Sequence, residues 1–159
     1  MQLFARDPHG GLAALTERVL LTLWVGGMWA VGYLAAPVLF YTLSDRILAG
    51  TLAGRMFSII NYIGLAAGLW LLLSGWLRRR SGAWPTWQLG ALACMLVCIA
   101  IIQFGLQPVM AELRAQAAAA HGVLPPRFGQ LHGLSSALYL VASLLGLVLV
   151  ATRGGARRT

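Results

Sequence analysis

Residues 56–77 read MFSIINYIGLAAGLWLLLSGWL, without a single Asp, Glu, Lys or Arg. About 20 mostly apolar residues are enough for a helix to cross the hydrocarbon core of a bilayer. Inside lipid an isolated segment can satisfy its backbone only as a helix. Three more charge-free blocks accompany this one, at residues 19–44, 81–111 and 128–152. Each is long enough for one crossing and too short for two. The sequence therefore predicts an all-α, four-transmembrane-helix bundle, a single integral membrane domain over residues 1–159 with spans near 18–40, 56–77, 87–108 and 131–152. The first block does not read as a signal peptide, because its apolar stretch is too long and no small-x-small cleavage site follows.

Composition agrees. Hydrophobic residues make up 59% and charged residues 10%, with a mean hydropathy of +0.77. Soluble domains carry about 25% charge, so a water-soluble globule and a disordered chain are both excluded. The net charge is +8, from 12 basic residues, all Arg, against 4 acidic ones. These arginines flank the apolar blocks instead of lining one helix face, which argues against nucleic acid as a partner and for the lipid bilayer. Arg6, Arg18, Arg78, Arg79, Arg80, Arg153, Arg157 and Arg158 fall on one side of a four-span topology, and Arg46, Arg55, Arg114 and Arg127 on the other. The positive-inside rule then places both termini in the cytoplasm, in a bacterial inner membrane. Trp76, Trp84 and Trp87 suit the headgroup level beside the Arg78–Arg80 cluster. Cys94 and Cys98, one helical turn apart, read as reduced thiols and not as a disulfide framework.

Small and polar residues mark the faces that pack, since apolar contact alone does not drive helix association in lipid. On the second span Asn61, Gly64, Gly68 and Gly75 share one stripe, with Gly64 and Gly68 spaced for close backbone approach. On the first, Gly26, Gly27, Ala30 and Pro37 share an arc, with a kink expected at Pro37. On the fourth, His132, Ser135, Ser136, Tyr139, Ser143 and Gly146 fall within about 100° of arc, opposite a lipid-facing row of Leu134, Leu138, Val141, Leu145, Val148 and Leu149. On the third, Gln103 and Gln107 oppose Gly90, Cys94, Cys98 and Gly105. An amide facing lipid is costly, so the glutamines are expected inward and the cysteine face against a neighbouring helix or a second subunit. Ser44 or Asp45 is expected to cap a helix entering the second span. Residues 109–120 should extend the third span, ended by Gly122 and the Pro125-Pro126 pair.

By depth, the polar groups gather in the outer half of the bundle. The expectation is a periplasm-facing polar pocket of His132, Ser135, Ser136, Tyr139, Asn61, Gln103 and Gln107, rimmed by Arg55, Glu112 and Arg127. Glu112 and Arg114 read as solvated loop charges.

The segment Phe128-Gly129-Gln130-Leu131-His132-Gly133-Leu134-Ser135-Ser136 resembles the His-Gly-Leu-Ser-Ser motif of the transmembrane protein 205-like family, also called domain of unknown function 4149. Trp24-Val25-Gly26-Gly27-Met28, Ala36-Pro37-Val38-Leu39-Phe40, Ala49-Gly50 with Ala53-Gly54 and Phe57, and Gln107-Pro108 are similar to it as well. The resemblance covers about residues 18–150. It implies a four-helix integral membrane protein, marks His132, Gly133, Ser135 and Ser136, and supplies no reaction.

The function expected is that of a non-enzymatic binding or assembly protein, without a catalytic residue, cofactor or metal. No intramembrane acid orients His132 as a base for Ser135 or Ser136, and no Lys is present for amine chemistry. A structural role for His132, hydrogen-bonded to Asn61, a glutamine or a serine, is the plainer reading of that residue. The alternatives are a copper- or haem-handling protein using His132 and Met28, or a small transporter subunit. Four spans are few for a monomeric transporter, so a homo-oligomer or a membrane protein partner would accompany that role.

Overall fold

The computed structural model describes residues 8–81, 84–120 and 123–154. Arg6, Arg157 and Arg158, counted for orientation, and His121 and Gly122, lie outside the described residues. Among the described residues four helical runs are long and apolar enough to cross a membrane: Gly11–Thr42, Arg46–Leu77, Thr86–Ala119 and Pro126–Arg153. The chain is a multi-pass membrane protein. Its helices are α1 (Pro8–Trp29), α2 (Ala36–Thr42), α3 (Arg46–Leu77), α4 (Thr86–Ala100), α5 (Gln107–Ala119) and α6 (Pro126–Gly154). The first span is α1 with α2, the third is α4 with α5, and α3 and α6 are the second and fourth. Each span packs on its neighbours in sequence, and the fourth closes against the first. Leu23, Ile59, Ile63, Leu69, Leu73, Val97, Phe104 and Leu147 are exposed around the outside. So broad an apolar girdle is a lipid-facing surface, not a soluble one.

Both composite spans are joined by a π-helical turn, at Ala30–Ala35 and at Ile101–Leu106. Each turn ends just before a proline, Pro37 or Pro108. A proline ring collides with the carbonyl four residues earlier and brings no N–H to the ladder. Widening the preceding turn moves that carbonyl aside. The last amide before each proline accordingly bonds five residues back, Ala36 to Val31 and Gln107 to Ile102. The expected kink at Pro37 is thus absorbed as a π-bulge.

The wide turns also re-phase the helix faces. At 100° per residue, positions four apart drift by about 40° per step. Through a π turn they stay aligned, so Met95, Ile99, Gln103 and Gln107 are all buried. The third span therefore turns both glutamines and Cys98 inward, while Gly90, Cys94 and Gly105 stay exposed. The expected opposition of a glutamine face to a cysteine face does not hold across the bulge.

The core centres on Trp24, with Leu21, Met28, Leu71, Leu92, Met95, Ile99, Ala142 and Leu149. Gly64 and Gly68 serve this ring instead of a backbone contact. A Cβ on Gly64 would collide with the Trp24 indole, and one on Gly68 would come within 2.6 Å of Leu96 Cδ2 and 2.9 Å of Trp24. Gly27 abuts Ile60, and Gly146 abuts Val25. The packing role expected of Gly26 and Gly133 is not found; nothing lies within 4 Å of where their Cβ would be. Gly26, Ala30 and Pro37 are exposed, because the buried face of α1 runs through Leu21, Trp24, Val25 and Met28. On α6 the polar arc is largely inward, with Ser135, Tyr139, Ser143 and Gly146 buried. Leu149, expected to face lipid, is fully buried, and Leu138 and Leu145 pack against the core.

The end of the bundle carrying the 78–85 connection is clamped by Glu17, which is completely buried. Its Oε1 accepts from Ser74 Oγ (2.6 Å) and Arg78 Nη1 (2.9 Å), and its Oε2 from Trp84 Nε1 (3.1 Å) and Arg153 Nη2 (3.3 Å). The Arg153 guanidinium lies 3.4 Å from the Trp84 ring centroid, a cation–π contact. Gln88 Nε2 reaches Thr152 Oγ1 at 3.3 Å. All four spans are thus tied at this end. Arg78 and Arg153, read from sequence as topology anchors, are also ligands of this carboxylate.

Candidate functional site

The opposite end is open. Where α2, the first half of α3, α5 and the first half of α6 diverge, they enclose a cavity of about 670 Å³. Its walls are mainly apolar, from Phe40, Phe57, Ile102, Met110, Leu124, Phe128 and Leu140. Its polar members are Tyr33, Arg46, Gln107, Arg114, His132, Ser135, Ser136 and Tyr139.

The connection into α3 is short because Asp45 caps the helix, accepting from Ile47 N (2.8 Å) and Leu48 N (3.0 Å), as an N-cap side chain does. The following turns present Ala49, Gly50, Ala53 and Gly54 toward α5. This small-residue slot receives two long side chains. Arg114 Nη1 donates to Gly50 O at 2.9 Å, and Nη2 donates to Gln107 Oε1 at 3.2 Å. Gln107 Nε2 in turn donates to Gly54 O at 3.2 Å. A Cβ at Gly54 would run into the guanidinium. Arg114 is only 8% exposed and lies over the Phe128 ring at 5.7 Å. The expectation of a solvated loop charge is overturned for Arg114 and holds for Glu112, which is exposed and bonded to Gln116 one turn on.

On the facing wall, His132 stacks on Phe128, with ring centroids 6.0 Å apart and planes within 6°. Ser135 and Ser136 both donate to His132 O, at 2.9 and 2.8 Å. Their protons are engaged with their own helix, a common habit of helix serines. The hydrogen bonds expected from His132 to Asn61, a glutamine or a serine are not made by the imidazole among the described residues. Tyr139 closes the floor, donating to Met28 O at 2.8 Å, with its ring against the bare Gly32 and edge-on to Phe57. Beside it Tyr33 and Ser143 share a 2.8 Å hydrogen bond.

The sequence grouping thus divides. His132, Ser135, Ser136, Tyr139 and Gln107 line one cavity. Asn61 and Gln103 do not; they lie in the packed layer, where Asn61 Nδ2 donates to Gln103 Oε1 at 3.2 Å. The expected rim of Arg55, Glu112 and Arg127 is exposed and outside the lining, and the cations that line the cavity are Arg46 and Arg114. Sequence reasoning missed Arg114 although Gln103, Gln107, Met110 and Arg114 continue one helical stripe. Met28, paired with His132 as a possible metal ligand, is fully buried in the core and outside the lining. Among the described residues no three His, Cys, Asp or Glu side chains gather as a ligand set.

The family model described as "Domain of unknown function (DUF4149)" matches residues 19–119, more than half of the chain. The chain belongs to the DUF4149 family. Neither a curated protein nor a solved structure matches it. The DUF4149 match covers three of the four spans, including the Ala49–Gly54 slot, Gln107 and Arg114. The His132–Ser136 wall lies beyond it. Membership in DUF4149 brings no reaction with it, so the chemistry of this protein has to be read from the cavity itself.

Proposed function

We propose that this DUF4149 protein is a non-enzymatic ligand-binding protein of a bacterial inner membrane, with both termini in the cytoplasm and the cavity opening toward the periplasm. The observation that carries this reading is the cavity itself. Its volume falls in the range of about 300–1,000 Å³ typical of small-molecule sites, and like them it is mostly apolar with a few convergent polar groups. All four spans wall it, and the opposite end is clamped by Glu17. A non-enzymatic role is supported by the two serine hydroxyls being engaged with His132 O; among the described residues of the lining there is also no carboxylate to orient the imidazole. Orientation rests on the Arg asymmetry.

Labelling tests both parts. With Cys94 and Cys98 replaced by alanine, Ser136→Cys is expected to react with a membrane-impermeant maleimide added to intact spheroplasts. Reaction only after permeabilisation would reverse the orientation, and no reaction in either case would mean that the cavity is closed to solutes.

A further inference from the structure

We infer that the cavity takes an amphiphile with an anionic head, a phosphate or a carboxylate, and that Arg114 reads its charge; this rests on the binding role proposed above. Among the described residues the lining contains two cations, Arg46 and Arg114, and no acid. Arg114 is more than nine-tenths buried, yet its hydrogen-bond partners, Gly50 O and Gln107 Oε1, are both neutral, and its Nε has no partner. A guanidinium has five N–H donors. Burying it without a counter-charge is costly, and an oxyanion would offset that cost through charge-assisted, geometrically matched hydrogen bonds.

Depth suits a head at Arg114 and a tail below it. The third span, Thr86–Ala119, has 34 residues, about 50 Å at roughly 1.5 Å per residue. The hydrocarbon core is about 30 Å thick. Taking the exposed Trp76 and Trp87 as the level of one interface, Arg114 near the far end of the span reaches the opposite headgroup layer. Beneath it the lining turns apolar through Phe57, Ile102 and Leu140. The head could belong to a free single-chain amphiphile or to an anionic lipid of the bilayer.

The test uses the full chain in phosphatidylcholine nanodiscs, with hexadecyl phosphate and hexadecanol as probes that share a tail and differ in head. Binding is read from native mass spectrometry and from the shift in thermal midpoint. Hexadecyl phosphate is expected to bind about 10- to 100-fold more tightly than hexadecanol, the worth of one or two hydrogen bonds to a charged group. Arg114→Gln should abolish that preference and Arg114→Lys should retain part of it. Equal affinity of the two probes for the wild-type protein would overturn the inference, as would a preference that survives in Arg114→Gln. If Arg114→Gln does not fold, the wild-type ratio still decides. Tight binding of both probes alike would leave the binding role standing and remove the charge reading, whereas binding of neither would remove both. Nanodiscs doped with phosphatidylglycerol separate the two sources of the head: loss of bound hexadecyl phosphate there assigns the site to a lipid of the bilayer, and its retention assigns it to a free amphiphile.

Discussion

Glu17→Ala is expected to destabilise the protein by about 3–5 kcal/mol, the usual cost of removing one partner from a buried ion pair. The effect is large because this carboxylate serves four donors, Ser74, Arg78, Trp84 and Arg153, from three separate parts of the chain. Its loss leaves a buried cluster of donors without their shared acceptor, and each unsatisfied donor costs the desolvation of its group. Arg78 is 30% exposed and can turn to water, but Arg153 at 11% has less room. Glu17→Gln keeps the shape and one acceptor oxygen, so it should lose less than the alanine variant. Thermal unfolding in a mild detergent checks the order. Equal midpoints for wild type and Glu17→Ala would show that the clamp contributes nothing to stability.

The second large effect lies at the centre of the bundle. Gly64→Leu is expected to cost more than about 3 kcal/mol, the upper end for overpacking a filled core, because even the first carbon of the new side chain meets the Trp24 ring. Trp24 is 1% exposed and enclosed by the core cluster. Trp24→Ala alone should cost about 3–5 kcal/mol as a cavity. Combined, the two changes should partly compensate, since the leucine can occupy space vacated by the indole. A double-mutant cycle on denaturant titrations measures this coupling, expected at about 1–3 kcal/mol. Additive losses would mean that the ring and the glycine do not share the same space.

These two sites also show which features were legible in the sequence. The four spans were plain, because every charge is excluded from blocks of membrane-crossing length and nothing else produces that pattern. The inward stripe Asn61, Gly64, Gly68 and Gly75 was legible too, since α3 is an uninterrupted α-helix and its 100° wheel holds throughout. The wheel failed on the first and third spans. There a π turn inserts about one extra residue, so the burial of Met28 and Ala36, or of Cys98 and Gln103, cannot be phased without knowing the turn. The two prolines were its signal, each two residues beyond the end of its wide turn. Glu17 drew no reading because it sits just before the charge-free block at 19–44, beside Arg18, where nothing in the pattern marks it as inward. Arg114 was misplaced because the Ala-rich segment around it looks like a solvated extension. The slot that receives it is built 60 to 65 residues earlier, from the small residues at 49, 50, 53 and 54, which were noticed only as a pattern.

The wide turns carry one more consequence, for tolerance to changes in chain length. Elsewhere in a span, deleting one residue would rotate all that follows by about 100° and carry buried side chains out to the acyl chains. Within Ala30–Ala35 or Ile101–Leu106 the same deletion would tighten the wide turn to an ordinary one; the flanking halves would keep their facing, with only a local kink where Pro37 or Pro108 again meets the carbonyl four residues earlier. Removing Val31 should therefore leave a protein that still inserts and folds, whereas removing Leu69 from the unbroken α3 should not, and a comparison of folded yields distinguishes the two.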